Sequence, residues 1–332
     1  VESSRRSSAA ESTPAQVGAR ITSDQVSVIL CTRDRAEMLD RALGALCAAL
    51  ADSAEIIVVD SGSTTIDTAR TAERHSVRYV RSDIPGLSIA RNLGLETSER
   101  EIVVFTDDDC LVAEGFLDPL IEPFSSPAVG ATTGHLRDIS DTSERDPNPP
   151  TAILTDVLDG LDAGHGALMA FRRSVITDLG GFDPVLGAGR HFGGAEDTDA
   201  LCRVLDAGLH IARVQAAEVQ HVFTRDDADY RRLARAYGLG TGAMCSKWRR
   251  SSRTNGRRLT VRIARRAASR YARRMRTTRS RRGQAAYIGG LVKGMREARH
   301  VPVTGTVFTD VQPPEPVVLG AAAPRPASEV ST

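Results

Sequence analysis

The chain has 332 residues, 41% hydrophobic and 26% charged, with 43 Lys and Arg against 42 Asp and Glu for a formal net charge of +1. This composition excludes a largely disordered or fibrous protein, and the length fits one large domain with extensions or two small ones. No run of about 18 apolar residues is present, so no membrane-spanning helix is expected.

Residues 1–24 lack an initiator Met and an apolar signal region, and are expected to be a disordered lead-in. VSVILC (26–31) is short, apolar and β-branched, and reads as a buried strand. After TRDR, Leu39, Leu43, Leu46 and Leu50 recur at helical spacing. EIIVVD (55–60) is a second strand, and SGST after it is a turn and helix cap. A helix from about Thr65 to His75 leads to VRYVR, and SIARNLGLETS (88–98) is a further helix before the strand EIVVF. Strands alternating with helices imply a doubly wound, mainly parallel α/β sheet of Rossmann-like type. Ligands of such sheets bind outside the carboxyl ends of the strands. Thr32, Arg33, Asp60 and Asp107 to Asp109 all fall there and should converge on one crevice.

FTDDDC (105–110) sets three carboxylates side by side, and carboxylates are rarely buried unpaired. A hard divalent cation takes oxygen ligands, so a carboxylate pair at i and i+2 can hold one while a diphosphate supplies oxygens on the other side. A solvated acidic turn fits the same triplet.

Further along, GHGALMAFRRSV (164–175) reads as a strand entering a helix, with glycines that allow close backbone approach. LGGFDPVLGAGRHFGGAEDTD (179–199) is glycine-rich and is expected to form a mobile loop. Glu196 and Asp197 open a helix whose apolar face is Leu201, Val204 and Leu205, where the helix dipole favours acids. His221 ends a strand in IARVQAAEVQHVFTR.

From about Val26 to Lys247 the chain resembles family 2 glycosyltransferases of the GT-A fold. The resemblance rests on VSVILCTRDR, IIVVDSGS, GLSIARNLGL, VVFTDDDC, GALMAFRRSVITDLGGFDP, GGAEDTDALCRVLDAG and VQHVFTR in that order, over about two thirds of the sequence. It implies a GT-A domain over 25–248, a nucleotide-sugar donor, usually a UDP-sugar, and a divalent metal. Thr32 and Arg33 match the nucleotide-contacting turn, Asp60 the residue that meets the base, and Arg91 an arginine near the base or phosphates. Asp107 matches the carboxylate near ribose and metal, Asp109 the direct metal ligand, and Asp108 a less constrained neighbour. His221 matches a third metal ligand, an imidazole that suits Mn²⁺ better than Mg²⁺. Asp197 matches the general base of an inverting transfer, with Glu196 and Asp199 orienting the acceptor or the helix. Loops 183–195 and 132–162 are expected to select sugar and acceptor. Without the resemblance, Asp60 is equally a turn cap, Arg91 a solvated helix arginine and His221 a structural imidazole.

Two other readings are weighed. A non-catalytic nucleotide-sugar or membrane-binding relative would keep the fold, but intact carboxylates at 107, 109 and 197 favour an enzyme. A sugar-nucleotide pyrophosphorylase needs a glycine-rich loop that CTRDRAEML lacks.

The near-neutral total hides a polar chain. Residues 245–300 hold 19 of the 43 basic residues and one of the 42 acidic ones, which leaves 24 basic against 41 acidic elsewhere. Residues 249–300 are expected to form a basic helical extension, with Ala264, Ala267, Ala268, Tyr271 and Met275 as a weak apolar stripe facing an anionic membrane. Docking on the acidic body or a solvated helix would account for the same pattern. No aromatic-studded module accompanies it, so specific nucleic-acid binding is not expected. Residues 301–332 are Pro/Ala-rich and read as a disordered tail. Five cysteines (31, 47, 110, 202, 245) without a CxxC pair point to the cytoplasm, with attachment to the cytoplasmic membrane face through 249–300.

Overall fold

The first strand, β1 (Val26–Thr32), is buried along its whole length, because helices cover both faces of the sheet it centres. The computed structural model describes residues 19–51, 53–138, 141, 146, 149–222, 227–273 and 278–320. β1 is followed by α1 (Ala36–Leu50), β2 (Glu55–Ser61), α2 (Asp67–Arg74), β3 (Arg78–Ser82), α3 (Leu87–Thr97) and β4 (Ile102–Asp107), the alternation the sequence predicts. Then come β5 (Cys110–Val112), α4 (Leu117–Ile121), β6 (Val129–Asp138), β7 (Thr151–Leu154), β8 (Leu168–Arg172), α5 (Arg173–Asp178), α6 (Glu196–Asp206) and β9 (His210–His221). Three long helices, α7 (Asp227–Ser251), α8 (Arg253–Arg273) and α9 (Thr278–Glu297), precede a short hairpin of β10 (Val303–Thr304) and β11 (Val307–Phe308).

The main sheet has nine strands in the order β3-β2-β1-β4-β8-β6-β9-β5, with β7 also on β9. β3, β2, β1 and β4 run parallel; β8 joins antiparallel to β4, and the rest is mixed. Alternate residues of β1 feed two cores. Val26, Val28 and Leu30 pack with Leu39, Leu43 and Leu46 of α1, while Ile29 and Cys31 pack with Leu201, Val204 and Leu205 of α6. The leucine spacing read from the sequence is therefore the face that covers the sheet.

The C-terminal third is helical as expected, but its packing differs. The boundary expected at 248 falls inside α7, which runs on to Ser251. α8 is no free amphipathic helix. It buries Gly256, Leu259, Ile263 and Ala267 against the body, while Ala264 and Ala268 are exposed and Tyr271 is 38% exposed. The side chain of Met275 lies outside the described residues. The expected alanine stripe is thus largely the outer face, because Leu259 and Ile263 outweigh alanines in buried apolar area.

The tail is corrected too. Phe308 is buried, and its backbone N–H donates to Asp183 at 2.9 Å. Asp310 pairs with Arg190 at 2.6 Å, and the Val317 N–H donates to the Asp83 carbonyl at 2.8 Å. A single aromatic anchor and these bonds order a stretch whose composition alone suggested disorder. Residues 321–332 lie outside the described residues, as do residues 1–18 of the lead-in; Ile21 at its end is buried.

α7 and α9 meet backbone to backbone. A Cβ on Gly238 or Gly242 of α7 would lie 2.1 or 2.2 Å from the carbonyl oxygens of Tyr287 or Leu291. A Cβ on Gly290 or Gly294 of α9 would lie 2.3 or 2.1 Å from those of Arg235 or Leu239. Only glycine permits that approach. Gly242→Ala is expected to lower unfolding free energy by about 1–3 kcal/mol or more, as overpacking does. Urea unfolding reads this, and a change inside the roughly ±0.5 kcal/mol of a neutral surface substitution would show that the seam opens without cost.

Candidate active site

A cleft of about 1190 Å³ opens where β1 and β4 end, as the crevice rule requires. Its walls take Thr32 from the end of β1 and Arg33 from the turn after it, Asp107, Asp108 and Asp109 from β4 and its turn, Glu196 and Asp197 from α6, and His221 from β9. Arg91 of α3 lines it as well.

The three aspartates divide their work. Asp108 is a structural anchor: its oxygens accept from Thr32 Oγ1 at 2.6 Å and Arg35 Nη1 at 2.9 Å. Thr32 is thereby engaged within the protein. Arg35 also lies 3.4 Å from Asp109 Oδ2, a role that only its place in the turn after β1 hinted at. Asp107, Asp109 and Cys110 each bring a donor atom within 4.8 Å of the others, and His221 Nε2 lies 3.6 Å from Asp109 Oδ2. β5 sets this up by pairing Cys110 directly opposite His221 on β9.

This group fits a hard divalent cation. Desolvation raises the Asp107 pKa, Arg91 pulls it the other way, and Asp109 and Asp197 add to the rise, so a bound cation would relieve real repulsion. Burial raises the Cys110 thiol pKa well above its usual range, and a soft sulfur suits a hard cation less well than carboxylates do. The usable donors are then Asp107, Asp109 and His221, an oxygen-rich set with one imidazole.

Across the cleft, α6 starts from Ala195 in the left-handed region, φ +70°. Asp197 Oδ2 accepts from the Gly166 N–H at 3.0 Å, and Oδ1 from the Thr198 N–H at 2.6 Å. Glu196 lies 3.1 Å from Arg91 Nη1, and Arg91 Nη2 lies 3.4 Å from Asp107. Arg91 is therefore no solvated helix arginine. Buried in the cleft wall, it ties the β4 end to the start of α6. Burial, then the Asp197 charge, pushes Glu196 up to about 7 against the pull of Arg91.

Two expected site residues stand outside the cleft. Asp60 is fully buried, and its oxygens accept from the Ser63 N–H at 2.7 Å, Tyr79 Oη at 2.8 Å and Arg81 Nη1 at 3.1 Å. The turn-cap reading describes it. Asp199 is also fully buried, accepting from Lys247 Nζ at 2.7 Å, Trp248 Nε1 at 2.8 Å and Arg203 Nε at 2.9 Å. It fixes α6 to α7 and does not reach the cleft. Lys247 also reaches Asp183 at 2.6 Å, closing a buried cluster of two carboxylates and two cations that the sequence reading missed.

The glycine-rich loop is tied down. Ser88 Oγ donates to the Leu186 carbonyl at 2.7 Å, the Leu87 N–H to Ala188 at 2.9 Å, and Leu186 bridges to Phe192. It lines the cleft with Ala188, Gly189, Gly193 and Gly194. Of the other expected selectivity loop, Leu136, Asp138 and Leu161 line the cleft, and part of 139–148 lies outside the described residues.

Residues 27–180 match Glycosyl transferase family 2. A pre-mycofactocin glycosyltransferase of Mycobacterium tuberculosis is 26% identical over 219 residues, covering 59% of this chain and 42% of the relative. A validoxylamine A glucosyltransferase of Streptomyces hygroscopicus is 33% identical over 111 residues, 31% of this chain and 26% of that one. The chain thus spans under half the length of these curated relatives. A mannosyltransferase from Pyrobaculum calidifontis, solved with GDP-Man and Mn²⁺, superposes with a TM-score of 0.56 at 19% identity, covering 82% of this chain and 87% of its own. The alternating elements, the carboxylates at the end of β4 and these likenesses agree: the chain carries a family 2 glycosyltransferase region on a GT-A fold.

Proposed function

We propose that the protein transfers a sugar from a nucleoside-diphosphate sugar to an acceptor hydroxyl with inversion, using Asp197 as general base and a divalent cation held by Asp107, Asp109 and His221. The observation that carries this reading is the meeting of these four side chains, from the β4 end and its turn, α6 and β9, around one cleft. The names of the relatives point the same way. A UDP-sugar is the donor that the family resemblance implies. Because Asp60 is spent inside the fold, nucleotide contacts fall to groups that do line the cleft, Arg33 and Arg35 among them.

Asp197 accepts the proton of the acceptor hydroxyl as its oxygen attacks the anomeric carbon, and the bond to the nucleoside diphosphate breaks on the opposite face. The N–H groups of Gly166 and Thr198 orient the carboxylate, and Arg91 keeps Glu196 aligned beside it. Bound Mn²⁺ or Mg²⁺ would neutralise charge growing on the leaving diphosphate.

Nucleoside diphosphate release from UDP- and GDP-sugars, with Mn²⁺ or EDTA, tests the activity. Asp109→Ala is expected to abolish Mn²⁺-dependent thermal stabilisation by the nucleotide, and His221→Ala to weaken it. Unchanged stabilisation in both variants would reject the metal assignment.

A further inference from the structure

The cleft is larger than one donor needs. Single-ligand sites span about 300–1,000 Å³, against about 1190 Å³ here. The excess lies toward α7, α8 and α9, which contribute Tyr230, Leu233, Tyr237, Ile263, Arg270 and Tyr287. This end differs in chemistry from the acidic β4 end.

Its aromatic wall is built by close packing on glycines. A Cβ on Gly194 would lie 2.8 Å from the Tyr237 ring, so that ring rests on the glycine-rich loop. A Cβ on Gly283 would lie 2.4 Å from the Tyr230 ring, which therefore lies over bare α9 backbone. Tyr237 remains 47% exposed. An amphipathic ring with that much surface open to a cleft offers a platform for an apolar or aromatic ligand body.

The charge at this end is positive. Among the described residues α8 carries no acid, and two of its arginines are taken up by carboxylates, Arg258 by Asp156 and Arg266 by Asp162. Arg270, one turn beyond Arg266, lines the cleft and makes no hydrogen bond or ion pair among the described residues. A guanidinium free to present its donors suits a phosphate or carboxylate.

We propose that the α7–α9 end of the cleft is the acceptor subsite, and that its acceptor carries an acidic group on Arg270 next to an apolar or aromatic body on Tyr230, Tyr237, Ile263 and Tyr287. The inference rests on the transferase reading. The basic segment then acts as part of the substrate site. The acidic group can belong to a soluble molecule or to a lipid headgroup, since both present the same phosphate chemistry.

The test uses the full chain in EDTA, with phenyl phosphate and uncharged benzyl alcohol as probes, followed by ligand-observed NMR titration. Phenyl phosphate is expected to bind more tightly than benzyl alcohol. Arg270→Ala should weaken phenyl phosphate about tenfold or more, as loss of a hydrogen bond to a charged group does, with Arg270→Lys between the two. Arg270 is exposed and makes no hydrogen bond or ion pair among the described residues, so the variants should fold, and their thermal midpoints serve as a check. Mn²⁺-dependent stabilisation by UDP or GDP should be the same in all three proteins. Equal phenyl phosphate binding by wild type and Arg270→Ala, or equal binding of the two probes, overturns the subsite. Absence of nucleotide–Mn²⁺ stabilisation in the wild type instead counts against the transferase reading, and the probe titration still reports on Arg270. Sedimentation with phosphatidylglycerol and phosphatidylcholine vesicles separates the sources. Retention on phosphatidylglycerol that falls in Arg270→Ala supports a lipid-borne group, whereas probe binding without retention supports a soluble one.

Discussion

Asp197→Asn is expected to cut sugar transfer about 10²- to 10⁴-fold, the range for loss of a general base, while nucleotide and metal binding persist. Asn keeps the size and one carbonyl acceptor for the Gly166 or Thr198 N–H, but has no site for the acceptor's proton. Asp197 makes no hydrogen bond to Asp107 or Asp109 and its charge raises the Asp107 pKa, so its neutralisation should favour the ionised Asp107 and leave the donor end able to bind metal. Donor hydrolysis should fall less than transfer, because assistance to the leaving group does not pass through Asp197. An α-linked donor should give a β-linked product, read from the anomeric proton by NMR. Near-normal transfer by the variant, or an α-linked product, would make Asp197 structural and remove the inverting assignment.

Lys247→Met is expected to cost about 3–5 kcal/mol of stability, the range for stripping one partner from a buried ion pair. Lys247 is fully buried between Asp183 and Asp199, which sit in different elements. Burial already raises the Asp183 pKa, and Lys247 is the main force opposing that rise. Burial would raise Asp199 as well, but Lys247 and Arg203 hold it below the usual carboxylate range. Methionine fills most of the space and leaves Asp199 its ion pair with Arg203, while Asp183 loses the cation paired with it. The sign with pH follows. Without Lys247, Asp183 has a folded-state pKa raised further above its unfolded value near 3.8, so the variant's deficit should shrink as pH falls and protonation discharges the acid. Lys247→Met combined with Asp183→Asn should recover part of the loss. A single-variant cost below about 1 kcal/mol in urea unfolding, the level of an exposed ion pair, would refute the claim that this cluster holds α6 to α7.

The contrast between these two residues explains what the sequence could tell. Asp107 and Asp109 could be placed at the crevice from topology, because they fall at a strand end; Asp197 and His221 were singled out through the family resemblance, and both line the cleft. The strands and helices up to β4 were legible because periods of 2 and 3.6 were unbroken there. Lys247 was not, since a buried lysine in a run ending KWRR looks like its solvated neighbours until its partners, 64 and 48 positions away, are known. Asp60 was assigned a base contact through the family resemblance; that its donors Tyr79 and Arg81 come from the adjacent strand is set by sheet register, which the sequence does not show. On α8, the density of arginine obscured the true inward spacing of Gly256, Leu259, Ile263 and Ala267, and the alanines drew attention to the wrong face.

The glycine seam between α7 and α9 has a consequence for anyone recombining this protein with its relatives. A chimera joined at 248 would separate two helix surfaces that meet backbone to backbone at their glycines, leaving the Gly238–Gly242 ridge without its matched cover. The exchangeable cassette is therefore α7 through β11, because Phe308 closes over Lys247 at its far end. If the acceptor subsite proposed above holds, the exposed positions 237 and 270 are the ones to vary together, while 238, 242, 290 and 294 are held as glycine.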